Sequence, residues 1–216
     1  MKSKITKIAS VVMIIGLVAI GATLINQTST PAYAVEQTIE AMRNIKTAHC
    51  FGTTFDGDNV EMWIEVNPQT GANEKLYFDS SMVSRIATQD EVYTYQKNSN
   101  IVIHVKKSGL ISNEIRFGRF IEDMVASTTK NNDAKINITE INGEKPFILL
   151  TLETDEMLTE SKVDAVTKLP MSINVKSTKN PQQGEGKSID QIFYNEPLPE
   201  GIFDFVIPEG ARVIEQ

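Results

Sequence analysis

The sequence predicts a mainly β, α+β protein: a large antiparallel sheet accompanied by helices and preceded by one N-terminal membrane helix. Three observations lead there. A charge-free apolar run follows three lysines, many short segments alternate apolar and polar side chains, and two stretches repeat apolar residues every three or four positions.

Lys2, Lys4 and Lys7 precede Ile8 to Ile25, a run with no charged side chain. A helix satisfies its own backbone in hydrocarbon and flanking lysines hold that end in the cytoplasm, so residues 8–25 are read as the membrane contact and the rest as exported. A secretory signal starts the same way and closes on a small-x-small site, here Ala32-Tyr33-Ala34. The run exceeds the roughly 7–15 apolar residues of a signal and approaches the roughly 17–25 of a span, which favours an uncleaved single-pass anchor; cleavage at Ala34 is the alternative. No cysteine lies near residue 30 to accept a lipid. The chain therefore divides into residues 1–34, anchor or signal with a short linker, and residues 35–216, one exported domain of a size that builds a single core.

Of 21 basic residues, three sit in that N-terminal flank, leaving 18 against 28 acids and a net charge of −10 beyond it. Such a surface repels phosphate backbones, which excludes nucleic acid as a partner class. Cys50 is the only cysteine, so no intrachain disulfide forms, and it reads as a small buried hydrophobe.

Along the exported chain, Val35, Ile39, Met42 and Ile45 mark an amphipathic helix over residues 35–47. From Ala48 the period becomes two: Val60, Met62, Ile64 and Val66 share one face, Glu61, Trp63 and Glu65 the other. Asp56-Gly57-Asp58-Asn59 and Asn67-Pro68-Gln69-Thr70-Gly71 supply turns, with glycine available for positive φ. Strands near 74–78, 82–88, 91–96 and 100–106 follow too closely for intervening helices, which predicts a meander. Phe117, Phe120, Ile121, Met124 and Val125 mark a second helix over 113–128, behind a Ser112 or Asn113 cap. Strands resume at 134–141, 146–153, 159–164, 170–177 and 188–194, and Phe147 to Leu152, apolar on both faces except for Thr151, reads as central and covered on both sides. Gln182 to Lys187 is a polar loop, and the proline-rich tail from Pro197 reads as extended chain laid over a sheet end through Phe203, Phe205 and Ile207.

Chemistry has few candidates. Two histidines, His49 and His104, exclude a three-histidine metal site, and strand neighbours such as His49 and Cys50 point to opposite faces. Asp56-Gly57-Asp58 lacks the glycine spacing of a calcium loop, and no phosphate loop or nucleophile elbow is present. Asn137-Ile138-Thr139 matches the short glycosylation sequon, a pattern of low specificity. No catalytic residue, metal or cofactor is assigned; a carboxylate-based hydrolase stays open only because acids are plentiful. What remains is apolar: Met62, Ile64, Leu76, Phe78, Ile101, Ile103, Phe117, Ile121, Met124, Phe147 and Leu149 are placed where sheet meets helices, either filling a core or lining a cleft.

This order of elements resembles the LolA/LolB/RseB-like family of bacterial envelope proteins. The resemblance covers residues 35–216 and rests on the helix VEQTIEAMRNIKTAHC, the sheet interrupted by a mid-chain helix, and the tail IDQIFYNEPLPEGIFDFVIPEGARVIEQ with its "F-x-F" and "P-x-G". It implies a curved antiparallel half-barrel capped by helices, whose cavity takes the acyl chains of lipoproteins in carrier members, while RseB-like members regulate a membrane anti-sigma factor. The expected function is thus a non-enzymatic extracytoplasmic domain that accepts a lipid or acylated protein; the alternative is a sensor acting through a membrane regulatory protein. The expected location is the bacterial envelope, anchored in the inner membrane or, after cleavage at Ala34, periplasmic.

Overall fold

Side chains that alternate between faces along segments such as Thr47–Thr53 give those strands one face to bury, and hydrogen bonding joins twelve strands among the described residues into one open, curved sheet. The computed structural model describes residues 29–54, 56–106, 116–130, 134–179 and 187–216. The expected membrane segment at 8–25, the Ser112 or Asn113 cap and most of loop 182–187 lie outside these residues. Among the described residues no helix is long and apolar enough to cross a membrane.

A first meander comprises β1 (Thr47–Thr53), β2 (Asn59–Val66), β3 (Asn73–Ser80), β4 (Val83–Ala87), β5 (Glu91–Gln96) and β6 (Ile101–Lys106), each antiparallel to the next. A second runs through β7 (Lys135–Ile141), β8 (Phe147–Glu153), β9 (Met157–Asp164), β10 (Pro170–Ser177) and β11 (Lys187–Tyr194). Antiparallel pairing of β11 with β1 joins the two, and β12 (Arg212–Glu215) adds parallel to β6. Gly57 and Gly71 adopt φ of 77° and 69°, the positive values their turns require.

Helix α1 spans Ser29–Arg43, starting six residues before the expected helix, with Ala34 and Val35 both buried in the core, and stopping early because β1 takes the chain from Thr47. A 3-10 turn at Phe117–Arg119 leads into α2 (Phe120–Lys130). Arg116 pairs with Asp123 across the first turns of this segment. Both helices lie on the inner face, where Met42, Ile45, Ala48, Cys50, Ile64, Phe117, Ile121, Ile148, Leu150 and Val163 form the main core.

β8 is not central: it is second from the edge formed by β7. Ile148 and Leu150 are buried inward, while Phe147 and Leu149 face outward and are only partly covered, Lys162 Nζ lying 5.6 Å over the Phe147 ring. The long Lys162 stem shields part of that face.

The outer face of the first meander and of β11 carries a row of rings interrupted by Ile86. Direct pairing places His104, Tyr93, Ile86, Tyr77, Trp63, His49 and Phe193 side by side. The tail after β11 crosses this row: Phe205 stacks on Tyr93 at 4.7 Å, Phe203 sits beneath Lys75, and Ile207 stays 52% exposed, so two of the three expected anchors hold. Each end of the tail is tied to a histidine. His49, stacked on Trp63 at 3.8 Å, meets Glu196 at 3.2 Å and Glu61 at 2.8 Å. Buried His104, stacked on Tyr93 at 4.1 Å, meets Glu215 at 3.1 Å and Glu91 at 3.0 Å.

The hydrogen bond to Glu215, then that to Glu91, holds the His104 pKa above its ordinary value against the opposing loss of water, and His104 in turn lowers that of Glu215. A raised imidazole pKa adds stability that is complete below the unfolded value and is lost as pH rises through the folded one; the lowered carboxyl adds stability lost on acidification. The pair therefore contributes most between about pH 4.3 and 6.5. Urea unfolding of wild type and His104→Gln across pH 5–8 is expected to show a stability difference that shrinks as pH rises; a difference constant with pH would refute this assignment.

Candidate functional site: an apolar cavity on the inner face

The helices cover only part of the inner face. Beside them, over β1 to β5 and the start of β11, an open cavity of about 790 Å³ remains. Cross-strand register builds its wall: Met62 pairs with Phe78, Phe78 with Arg85, and Arg85 with Thr94, while one step along Ile64 pairs with Leu76. Directly opposed residues share a face, so these side chains all present to the cavity. Val60, Val83 and Ile189 continue the apolar wall toward the β1–β2 hairpin, where Thr53, Thr54, Asp56, Lys187 and Ser188 form its polar end. At the other end stand Asn73 and Phe117.

Phe117 is held there by backbone contact. Asn73 Oδ1 accepts from the Phe117 N–H at 3.1 Å in a buried bond, and the Gly71 carbonyl accepts from the Gly118 N–H at 3.2 Å. The approach depends on having no side chain at 118, since a Cβ there would lie 2.9 Å from Val66 Cγ1 and 3.0 Å from the Gly71 Cα. A dipeptide Phe-Gly docked on the β2–β3 turn thus closes one end of the cavity.

Of the eleven apolar residues singled out in the sequence, Met62, Ile64, Leu76, Phe78 and Phe117 line the cavity. Ile121 and Met124 are buried at 1% and 5% exposure in the core beneath the helices. Ile103 pairs with Thr94 and Ile101 with Gln96, placing both on the inner face of β6, one strand beyond the lining. Phe147 and Leu149 face outward. Sequence reasoning passed over Val60, which shares the alternation of Met62 and Ile64, and Arg85, which sits between Val83 and Ala87 on the apolar face of β4. A cation in the inward register was the available signal.

Reactive groups lie elsewhere. Cys50 is fully buried on the inner face, where loss of water pushes its thiol pKa up to about 12, while His49 faces outward, so the two neighbours cannot act together. Among the described residues, no group of three or more His, Cys, Asp or Glu side chains is placed to hold a metal ion.

No family model matches the chain, and no curated protein does. Solved structures do. An uncharacterized conserved protein from Thermus thermophilus is similar with a TM-score of 0.50 and 11% identity, over 86% of this chain and 99% of that one. Others include the complex of Pseudomonas aeruginosa MucA/MucB, with a TM-score of 0.45, 12% identity and coverage of 81% and 60%, and a putative outer membrane lipoprotein-sorting protein domain from Vibrio parahaemolyticus, with 0.38, 9% and coverage of 79% and 94%. The chain thus spans less than two thirds of its match in the MucA/MucB complex. At these identities the likeness to the Thermus protein is one of fold.

Two substitutions test how the cavity end is built. Asn73→Ala leaves the buried Phe117 N–H without its acceptor and is expected to cost about 1–3 kcal/mol in denaturant unfolding. Gly118→Ala forces apart two backbones in contact and is expected to cost a similar amount, about 1–3 kcal/mol. Wild-type stability in either variant would show that the docked turn does not depend on these contacts.

Proposed function

We propose that this domain is a non-enzymatic, extracytoplasmic binding module that takes an acyl chain, of a free lipid or of an acylated protein, into the cavity on its inner face. One observation carries the reading: a cavity of about 790 Å³ persists beside a filled core, with Val60, Met62, Ile64, Leu76, Phe78, Val83, Phe117 and Ile189 as its apolar wall. Its volume falls within the roughly 300–1,000 Å³ of small-molecule sites, and apolar walls with a few polar groups are what such sites share. Covering apolar surface releases roughly 25 cal/mol per Å², so an aliphatic chain is held by area alone, without a catalytic group.

In this reading residues 8–25 hold the domain at the outer surface of the inner membrane, next to a supply of lipid. Cleavage at Ala34 would instead release the same module into the periplasm.

The full chain in nanodiscs, titrated with the uncharged fluorophore N-phenyl-1-naphthylamine against a nanodisc blank, is expected to give saturable binding. Phe78→Glu, which sets a carboxylate in the cavity wall outside the main core, is expected to weaken that binding about tenfold or more while unfolding remains cooperative. Absence of saturable binding by wild type would overturn the proposal.

A further inference from the structure

Residues 195–216 are held to the sheet in two different ways. At the start, the Asn195 N–H donates to the Thr47 carbonyl at 2.9 Å and the Lys46 N–H to Asn195 Oδ1 at 2.8 Å, contacts in which no group titrates. From there the chain makes short turns upon itself, the Ile202 N–H bonding the Pro199 carbonyl, that of Asp204 the Gly201 carbonyl and that of Ala211 the Pro208 carbonyl, and it meets the sheet through Phe203 and Phe205. Glu200, Asp204, Val206 and Ile207 are exposed. The far end depends on β12, a strand of four residues of which three are exposed, and on His104. A segment with so few buried side chains opens locally at far less cost than the core.

His104 joins three strands. From β6 its ring reaches Glu215 of β12 through Nδ1 at 3.1 Å and Glu91 of β5 through Nε2 at 3.0 Å. The other charged or titratable groups around it do not bridge the two acids: the Tyr93 hydroxyl donates to Glu91 at 3.1 Å, Lys106 Nζ lies 3.6 Å from Glu215, and Asp204 of the tail shares a small pocket with Glu91 and Tyr93. Both ring nitrogens donate only in the imidazolium; a neutral ring has one N–H and turns a lone pair toward the carboxylate that is left. Losing the proton therefore breaks one of two charge-assisted bonds and leaves Glu91, Asp204 and Glu215 around an uncharged ring. We propose that His104 is a pH-operated latch: protonated, it fastens β12 against β6, and as pH rises through neutrality it lets residues 203–216 lift from the sheet about a pivot at Asn195. Lifting uncovers Tyr93 and the edge of β6. The bonds to Glu215 and then Glu91, which hold the His104 pKa above its ordinary value, place release above about pH 6.5. His49, between Glu196 and Glu61, repeats the arrangement beside the pivot.

Hydrogen–deuterium exchange of the full chain in nanodiscs between pH 5.5 and 8, corrected for the intrinsic rate at each pH, tests the latch. Residues 203–216 are expected to be about a hundredfold or more less protected than β8 at every pH, the mark of an opening smaller than unfolding, and to lose about a further tenfold between pH 5.5 and 8. His104→Gln removes the titrating ring. Glu215→Gln, at an exposed position, replaces the carboxylate by an amide that bonds either form of the ring. Each variant is expected to hold the protection of residues 203–216 constant with pH to within about twofold. Tail protection equal to that of β8 would mean that the tail leaves only when the whole fold does, and would overturn the latch. So would wild-type protection that does not change with pH, or a pH dependence that persists in either variant. Should His104→Gln not fold, Glu215→Gln and the wild-type comparison of tail with β8 decide.

Discussion

The pairing of β1 with β11 is the contact on which the architecture depends. Each meander is local in sequence, built from neighbours joined by short turns, but β1 and β11 meet across more than a hundred residues, from Ala48 opposite Tyr194 to Thr53 opposite Ser188. Without that seam there would be two sheets with separate edges. The register shifts between Phe51 and Gly52, and a Cβ at Gly52 would lie 1.9 Å from the Ser188 carbonyl oxygen, so glycine is what lets the backbones close at this irregularity. Bulges strengthen local twist and bend a sheet, and here the bend sits where the two halves join.

Joining the halves also decides where empty space is left. Helices α1 and α2 are short, and they pack against each other and against β7, at the second meander's edge. Their apolar faces are consumed by Ile148, Leu150 and Val163 together with Ala48, Cys50 and Ile64. Little helix remains to cover β3 to β5, where Phe78, Val83, Arg85 and Thr94 line a cleft while Leu76 packs with buried Ala87 and Val92 in a second, small core. The docked Phe117-Gly118 marks the border between the two regimes, since Phe117 belongs to the core cluster and to the cavity lining at once.

How much of this was legible in the sequence follows from how local each determinant is. Alternation along NVEMWIEV and the turn glycines at 57 and 71 are written in adjacent residues, and strands and turns fall where they indicate. Strand order is not local. FILLTLE, apolar on both faces, suggested a central strand, whereas β8 is second from an edge and its outward Phe147 and Leu149 are covered by neighbouring side chains rather than by another layer. The split of apolar residues between core and cavity was hidden for the same reason: Met62 and Ile121 look alike in sequence, and only the reach of the helices separates them. Arg85 was visible as a charge in an apolar register, but its place opposite Phe78 and Thr94 depends on the strand register.

The parallel strand β12 bears on how the chain reaches this state. β6, reading IVIHVK, is the kind of β-branched, uninterrupted segment whose bare edge recruits other chains. It is shielded by four residues, Arg212 to Glu215, with hydrogen bonds from Arg212 N–H to the Asn100 carbonyl and from Gln216 N–H to the His104 carbonyl. Those residues follow β6 only after the entire second meander has been synthesised. During translation this edge stays uncovered until the second meander and the tail have emerged, which leaves an interval open to misassembly.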